Sequence, residues 1–315
     1  MTCHYCRIQC KRFGKHRNGL QRYRCNQCRK TYTEEHERLL DEMRLPFDKA
    51  CAILQLLLEG MSVRSAERLT RVHRDTILRL LILAGERCQR LMDERLTGLN
   101  VRDVEVDEIW GYVGKKEARK TPLEESAAEI GDAYCYVALE RHSKLVLCHY
   151  LGKRNVPSTE HFIAKLAHVT STFPYQLTSD GFGPYKNAAK KYLARRVHFA
   201  QLIKVYSSPR EGEQRYSAGE VVEAVPVAIM GDPRPARICT SHVERGNLSI
   251  RMGMRRMTRL TNAFSKKWEN LEAAYSLWFA YYNFCRAHQA LRVTPAMQAG
   301  ITDSAWPISQ LLSVQ

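Results

Sequence analysis

Apolar side chains recur at helical spacing through the first third of the chain and at strand spacing beyond about residue 100. Residues 49–59 place Ile53, Leu54, Leu57 and Leu58 on one face, predicting a helix that Gly60 ends. Ser62 then stands as an N-cap before residues 63–69, with Ala66 and Leu69 facing inward. Thr70, Arg71 and Val72 make a turn, and residues 73–84 form the next helix, with Ile77, Leu80 and Leu81 on its buried side. Two short helices joined by a tight turn predict a helix-turn-helix over residues 41–99. Its recognition helix would offer His73, Arg74 and Arg79 near its start, where base edges are read.

From residue 104 the pattern alternates. Val104 and Val106 take one face of a strand, and Glu105 and Asp107 the other. Residues 134–139 and 145–150 supply two more strands, 158–170 a helix, 175–181 a strand ending in Asp180 and Gly181, 185–194 a helix and 197–206 a fifth strand. Ser241 to Glu244 open a long basic helix. This succession is an α/β layout. If the first and fourth strands are neighbours, Asp107 and Asp180 meet at one edge of the sheet, and Glu244 approaches from the helix packed there. Residues 115–131 and 207–235 lack periodicity, the latter rich in glycine and proline, and read as surface loops or arms. The aromatic residues between Phe264 and Phe284 recur at helical spacing and read as core, and residues 291–315 as a C-terminal tail.

Charge narrows the function. The 315 residues carry a formal net charge of +16. The excess is clustered: residues 1–33 and 245–267 hold nine and seven Lys or Arg and no acid. Such clusters call for a polyanion, with nucleic acid the default partner. No apolar run reaches the roughly 18–20 residues of a membrane span, and the N-terminus lacks a signal peptide's apolar core. A cytoplasmic, nucleoid-associated protein without a membrane partner is expected. In such a compartment the eleven cysteines are thiols or metal ligands, not disulfides.

Cys3-x-x-Cys6 and Cys25-x-x-Cys28 are two knuckles able to give four thiolates to one tetrahedral Zn²⁺. A zinc ribbon is expected over residues 1–40, its fold dependent on the metal because so short a segment has almost no core. Arg22, Arg24 and Lys30, with interleaved Tyr5, Phe13, Tyr23 and Tyr32, suit phosphate contacts. Asp107, Asp180 and Glu244 suit a pair of Mg²⁺ or Mn²⁺ ions about 3.5–4 Å apart, as in phosphoryl transfer. Glu105, Glu108, Asp132 and Glu140 are rival acids.

Three stretches carry a resemblance. Residues 107–114 (DEIWGYVG), 178–185 (TSDGFGPY) and 243–251 (VERGNLSIR) resemble the first-aspartate, second-aspartate and glutamate motifs of bacterial transposases of the insertion sequence one family. The ribbon and helix-turn-helix resemble that family's N-terminal half, so the match spans most of the chain. The extended 115–131 and 207–235 segments depart from it. The resemblance implies an RNase H-like domain over residues 100–290 with a central mixed sheet, a DDE mechanism with Asp107, Asp180 and Glu244 as catalytic and metal-holding acids, and Asn247, Arg251 and Arg255 toward DNA or the ordering of the site. It implies double-stranded DNA as substrate, in element ends and target, and a homo-oligomer that joins two ends. A DNA-binding regulator without catalysis, an RNase H-like nuclease on RNA–DNA hybrids and an inactive relic of a mobile element stay open as alternatives.

Overall fold

The computed structural model describes residues 1–16, 19–34, 40, 43–207 and 221–313, in two compact units, Met1–Arg44 and Leu45–Gln315. Arg17, counted above among the basic residues of the ribbon, and residues 208–220 of the second arm lie outside the described residues.

The first unit is an antiparallel meander of β1 (Lys11–Lys15), β2 (Gln21–Arg24) and β3 (Thr31–Thr33). Its two cysteine turns are built alike. Arg7 N–H donates to Cys3 O (2.9 Å) and Arg29 N–H to Cys25 O (3.0 Å). Cys3 N–H donates to Ile8 O (2.8 Å) and Cys25 N–H to Lys30 O (2.9 Å). Arg7 and Arg29 both take the left-handed backbone, with φ of 54° and 58°. Buried Cys3, Cys10 and Cys25, with Cys6, Tyr23, Cys28 and Tyr32 packed against them, form its hydrophobic cluster among the described residues. So small a cluster cannot offset the entropy of ordering the chain.

The second unit opens with α1 (Phe47–Leu58), α2 (Val63–Thr70) and α3 (Arg74–Arg95). Ser62 Oγ caps α2 by accepting from Ser65 N–H (3.0 Å). α3 runs past the expected end at residue 84 because Cys88, Leu91 and Met92 continue its buried stripe. Six strands follow: β4 (Asp103–Val113), β5 (Gly131–Glu140), β6 (Val146–Gly152), β7 (Tyr175–Ser179), β8 (Val197–Tyr206) and β9 (Val221–Met230). Between them lie α4 (Val156–Val169) and α5 (Pro184–Tyr192), and after them α6 (Ser241–Gly253), α7 (Trp268–Ala280), α8 (Pro295–Gln298) and α9 (Ile308–Ser313). The chain is thus mixed α/β around a central mixed sheet ordered β6-β5-β4-β7-β8-β9. The β4–β7 and β7–β8 pairs are parallel, the others antiparallel.

Two segments differ from the sequence reading, and a third keeps its loop character. Within 207–235, Val221–Met230 is not a loop but a strand at the sheet edge, with Val225, Val227 and Ile229 half-buried in alternation. Pro226 disguised it, yet an edge strand tolerates a missing donor. The 115–131 segment is pinned at both ends: Glu117 N–H donates to Asp132 Oδ1 and Asp132 N–H to Glu117 Oε2, both at 3.0 Å. The C-terminal stretch is no free tail, since α9 buries Ile308, Leu311 and Leu312 and the Arg87 guanidinium donates to Leu312 O. No helix among the described residues is long and apolar enough to cross a membrane.

α7 carries the aromatic stripe, with Tyr275, Trp278 and Phe279 buried as the spacing predicted. Glycines let two helices approach it. A Cβ on Gly85 of α3 would lie 2.4 Å from Ala273 Cα, and one on Gly253 of α6 2.0 Å from Trp278 Cη2. Gly85→Val is therefore expected to lower stability by about 3 kcal/mol through overpacking. A thermal melt checks this; an unchanged Tm would show that α3 and α7 part without cost.

Candidate metal centres and nucleic-acid interface

In the first unit the Cys3, Cys6, Cys25 and Cys28 sulfurs lie within 4.8 Å of one another. Cys3 Sγ is 3.5 Å from Cys28 Sγ and 3.2 Å from the Tyr32 hydroxyl, and Cys6 N–H points at Cys3 Sγ (3.4 Å). Tetrahedral zinc with bonds of about 2.3 Å sets its sulfurs roughly 3.8 Å apart, so the four residues fit that ion. Burial, then hydrogen bonds and charge from the other sulfurs, push the Cys6 thiol up to about 12. A coordinated cation reverses that penalty. Cys10 is buried close by but outside the group. Arg22 and Arg24 lie over the Phe13 ring, 5.4 and 5.0 Å from its centroid, and Lys30 over Tyr5 at 3.1 Å.

In the second unit one face of β4 carries three carboxylates at alternate positions, each with different partners. Buried Asp103 meets His142 Nε2 (2.6 Å) and the Arg237 guanidinium. Burial raises its pKa, but these two partners outweigh it and hold the carboxyl below the ordinary value. Glu105 accepts from the His242 and Val243 amides (2.9 and 3.1 Å) and bonds His242 Nδ1 (2.8 Å). It thus grips the first turn of α6, where the helix dipole favours a negative charge. Asp107 accepts from Asn247 Nδ2 of α6 (2.8 Å) and from Glu108 N–H (2.8 Å).

The parallel register pairs Val106 with Ser179, so β7 ends beside Asp107 and delivers Asp180 next to it. Asp180 Oδ1 accepts from Phe182 N–H (3.0 Å), which fixes the turn. Asp107, Glu108 and Asp180 then have carboxylate oxygens within 4.8 Å of one another. Arg154 spans two of them, with Nε 3.0 Å from Glu108 Oε2 and Nη2 3.5 Å from Asp180 Oδ2, and lies 4.0 Å from the Phe182 centroid. Glu108 Oε1 and Asn247 Oδ1 are buried with no hydrogen-bond partner among the described residues. Unpaired oxygens beside three carboxylates fit a hard divalent cation and its waters.

Of the three expected acids, Asp107 and Asp180 come together. Glu244 does not join them: its carboxylate is held by Thr240 Oγ1 (2.6 Å) and the Lys204 ammonium, though its charge still acts on Asp107. The acid that sequence reasoning ranked only as a rival is Glu108. Strict alternation assigns it to the opposite face from Asp107, and only the end of β7 and the placement of Arg154 bring it in.

The expected DNA-contacting residues divide. His73, Arg74 and Arg79 are exposed at the start of α3, and Arg255 is exposed just beyond α6. Asn247 is committed to Asp107, and half-buried Arg251 donates to Trp110 O and Met257 O, each at 3.2 Å. Both hold α6 against β4, which favours ordering of the site over DNA contact.

Burial, only partly offset by the Glu108 amide, pushes the Asp107 carboxyl up to about 7, and the charges of Glu108, Asp180 and Glu244 add to the rise. The ordinary value is 3.8, so the folded chain binds this proton more tightly than the unfolded one. Stability is full below that value, falls as pH rises toward 7, and stays reduced above it. Asp107→Asn is therefore expected to raise the Tm of metal-free protein at pH 8 by several degrees and by less at pH 5. Equal melting of variant and wild type at pH 8 would contradict the assigned burial.

No protein-family model matches this chain, and no curated protein matches it in sequence. Among solved structures, a piggyBac transposase synaptic complex with hairpin DNA aligns at a TM-score of 0.38 and 10% identity, covering 88% of this chain and 71% of that one. A pre-cleavage Mos1 transpososome aligns at 0.15 and 10%, covering 52% and 61%. At such scores neither defines a shared fold or site.

Proposed function

We propose that the chain is a DDE-type DNA transposase that binds the ends of an insertion sequence and catalyses divalent-cation-dependent cleavage and strand transfer on DNA. The observation that carries this reading is the group of Asp107, Glu108 and Asp180, within 4.8 Å at the end of the parallel β4–β7 pair. The succession of three strands, helix, strand, helix, two strands and acid-bearing helix supports an RNase H-like reading of residues 100–290. The sequence resemblance to the insertion sequence one family points the same way.

In this reading Asp107, Asp180 and either Glu108 or Glu244 hold the cations, and Asn247 orients Asp107. Two divalent ions bound there would supply the positive charge that favours both the attacking and the leaving oxygen of an in-line displacement. Arg154 offsets the negative charge of Glu108 and Asp180 until the cations arrive. The four-cysteine zinc ribbon with Arg22, Arg24 and Lys30, and the helix-turn-helix with His73, Arg74 and Arg79, bind the element end. Joining two ends requires a dimer or larger assembly.

The test is nicking and strand transfer on a labelled element-end duplex with Mg²⁺ or Mn²⁺, with an RNA–DNA hybrid in competition. Metal-dependent cutting of the duplex is expected. Binding without cutting would make the chain a regulator, and preference for the hybrid would make it an RNase H-like nuclease.

A further inference from the structure

The second unit contains a cleft of about 1160 Å³ between α1–α3 and the segment from Met254 to Asn270, separate from the acids described above. Its rim is cationic. Arg64, Arg74, Arg79, Arg255, Lys266 and Lys267 line it, against the carboxylates Asp75 and Glu269. Glu269 already pairs with Lys267 at 3.3 Å. A further guanidinium, Arg256, is half-buried in the wall. It donates to Ser265 Oγ (2.8 Å) and Asn270 O (2.9 Å), and no carboxylate pairs with it among the described residues. The floor is apolar, with half-buried Leu57, Leu78, Ile82 and Phe264 facing the space. The Phe264 ring is backed by Tyr112, 4.7 Å between centroids, and carries Lys266 Nζ 3.3 Å from its centroid, a side chain that an incoming base would displace.

We propose that this cleft holds a single-stranded segment of DNA, its phosphates on Arg64, Arg255, Lys266 and Lys267 and its bases on the apolar floor, leaving Arg74 and Arg79 to the duplex. A double helix keeps its bases stacked inside and gives such a floor nothing to bury. An unpaired strand presents both chemistries at once, and base stacking on aromatic rings is tolerant of sequence. The predominance of arginine suits phosphate, which a planar guanidinium grips with paired donors.

Position agrees with the chemistry. α6 carries Asn247 at the acidic group and ends at Gly253, one residue before Arg255 and Arg256. At about 1.5 Å per residue, Asn247, which holds Asp107, and Gly253 are roughly 9 Å apart along the helix. A strand freed at the acids reaches the cleft within a few nucleotides. The proposal rests on the reading of the chain as a DNA-cleaving enzyme, which gives the unpaired strand its origin.

The test measures anisotropy of a short fluorescein-labelled oligothymidine and of an element-end duplex on full-length protein. Wild type is compared with K266E/K267E and with Phe264→Ala, and each variant is checked for an unchanged melting transition. Metal-dependent nicking is followed in parallel, so that failure of the nuclease reading shows separately. Both variants are expected to lose oligothymidine affinity by about tenfold or more, in keeping with the loss of a base stack, while duplex affinity stays within about twofold of wild type. Should a variant not melt as wild type does, crosslinking of iodouracil-substituted oligonucleotide to wild-type Phe264 decides in its place. Equal loss on duplex and single strand, no oligothymidine binding by wild type, or displacement of the oligonucleotide by an acidic amphipathic peptide that binds more tightly would each overturn the proposal.

Discussion

Asp107→Ala and Asp180→Ala are each expected to lower metal-dependent cleavage of an element-end duplex about a thousandfold, equivalent to roughly 4 kcal/mol of lost transition-state stabilisation. Binding of the same duplex without metal should hold, because neither side chain lies on an exposed basic surface. The third position is where the structure adds a choice. Glu108 stands within the carboxylate group, its side chain 3% exposed and held by Arg154. Glu244 stands outside it, held by Thr240 and Lys204. Glu108→Gln and Glu244→Gln, assayed side by side, separate the two. If only Glu108→Gln loses activity, the group as it stands is the working one. If only Glu244→Gln does, Lys204 must release that carboxylate when cations bind, and Lys204→Ala should then tighten Mn²⁺ binding. Cleavage that survives Asp107→Ala would end the DDE reading.

Cys25→Ser is expected to abolish zinc binding and unfold the first unit, while the second keeps its own cooperative transition. Structural zinc supplies on the order of 10–16 kcal/mol of folding free energy in small modules. Among the described residues of Met1–Arg44 the hydrophobic cluster is three buried cysteines with Cys6, Cys28 and two tyrosines against them, which does not approach that. Atomic emission should find a single equivalent of zinc in wild type and none in the variant. Limited proteolysis should then cut within residues 1–44 first. A variant that retains zinc and resists the protease would mean that Cys10 replaces the missing sulfur.

Much of this was legible in the sequence because it rests on local pattern. The two cysteine turns follow from spacing alone, and the five strands and two helices between residues 103 and 206 follow from periodicity. The adjacency of β4 and β7 was only a condition in the sequence, because no local signal tells which parallel strands are neighbours. β9 escaped notice since Pro226 and the surrounding glycines read as loop chemistry, whereas only pairing with β8 makes ten residues extended. Glu108 escaped for a different reason: a strict two-residue period separates it from Asp107, and the acids gather only where β7 stops. Glu105 looked like a rival acid and proves to be the anchor of α6, a role that depends on a helix well over a hundred residues away in the chain.

The two glycine contacts of α7 have a mechanical meaning. At Gly85 and at Gly253 no side-chain layer separates α7 from its neighbours, so backbone meets Ala273 on one side and an indole ring on the other. Close-packed contacts of this kind are stiff and pass displacement on instead of absorbing it. α7 therefore packs directly between α3, which carries Arg74 and Arg79, and α6, whose Asn247 bonds Asp107. On the proposed reading, a tilt of α3 would be passed through α7 to α6 and not absorbed between them.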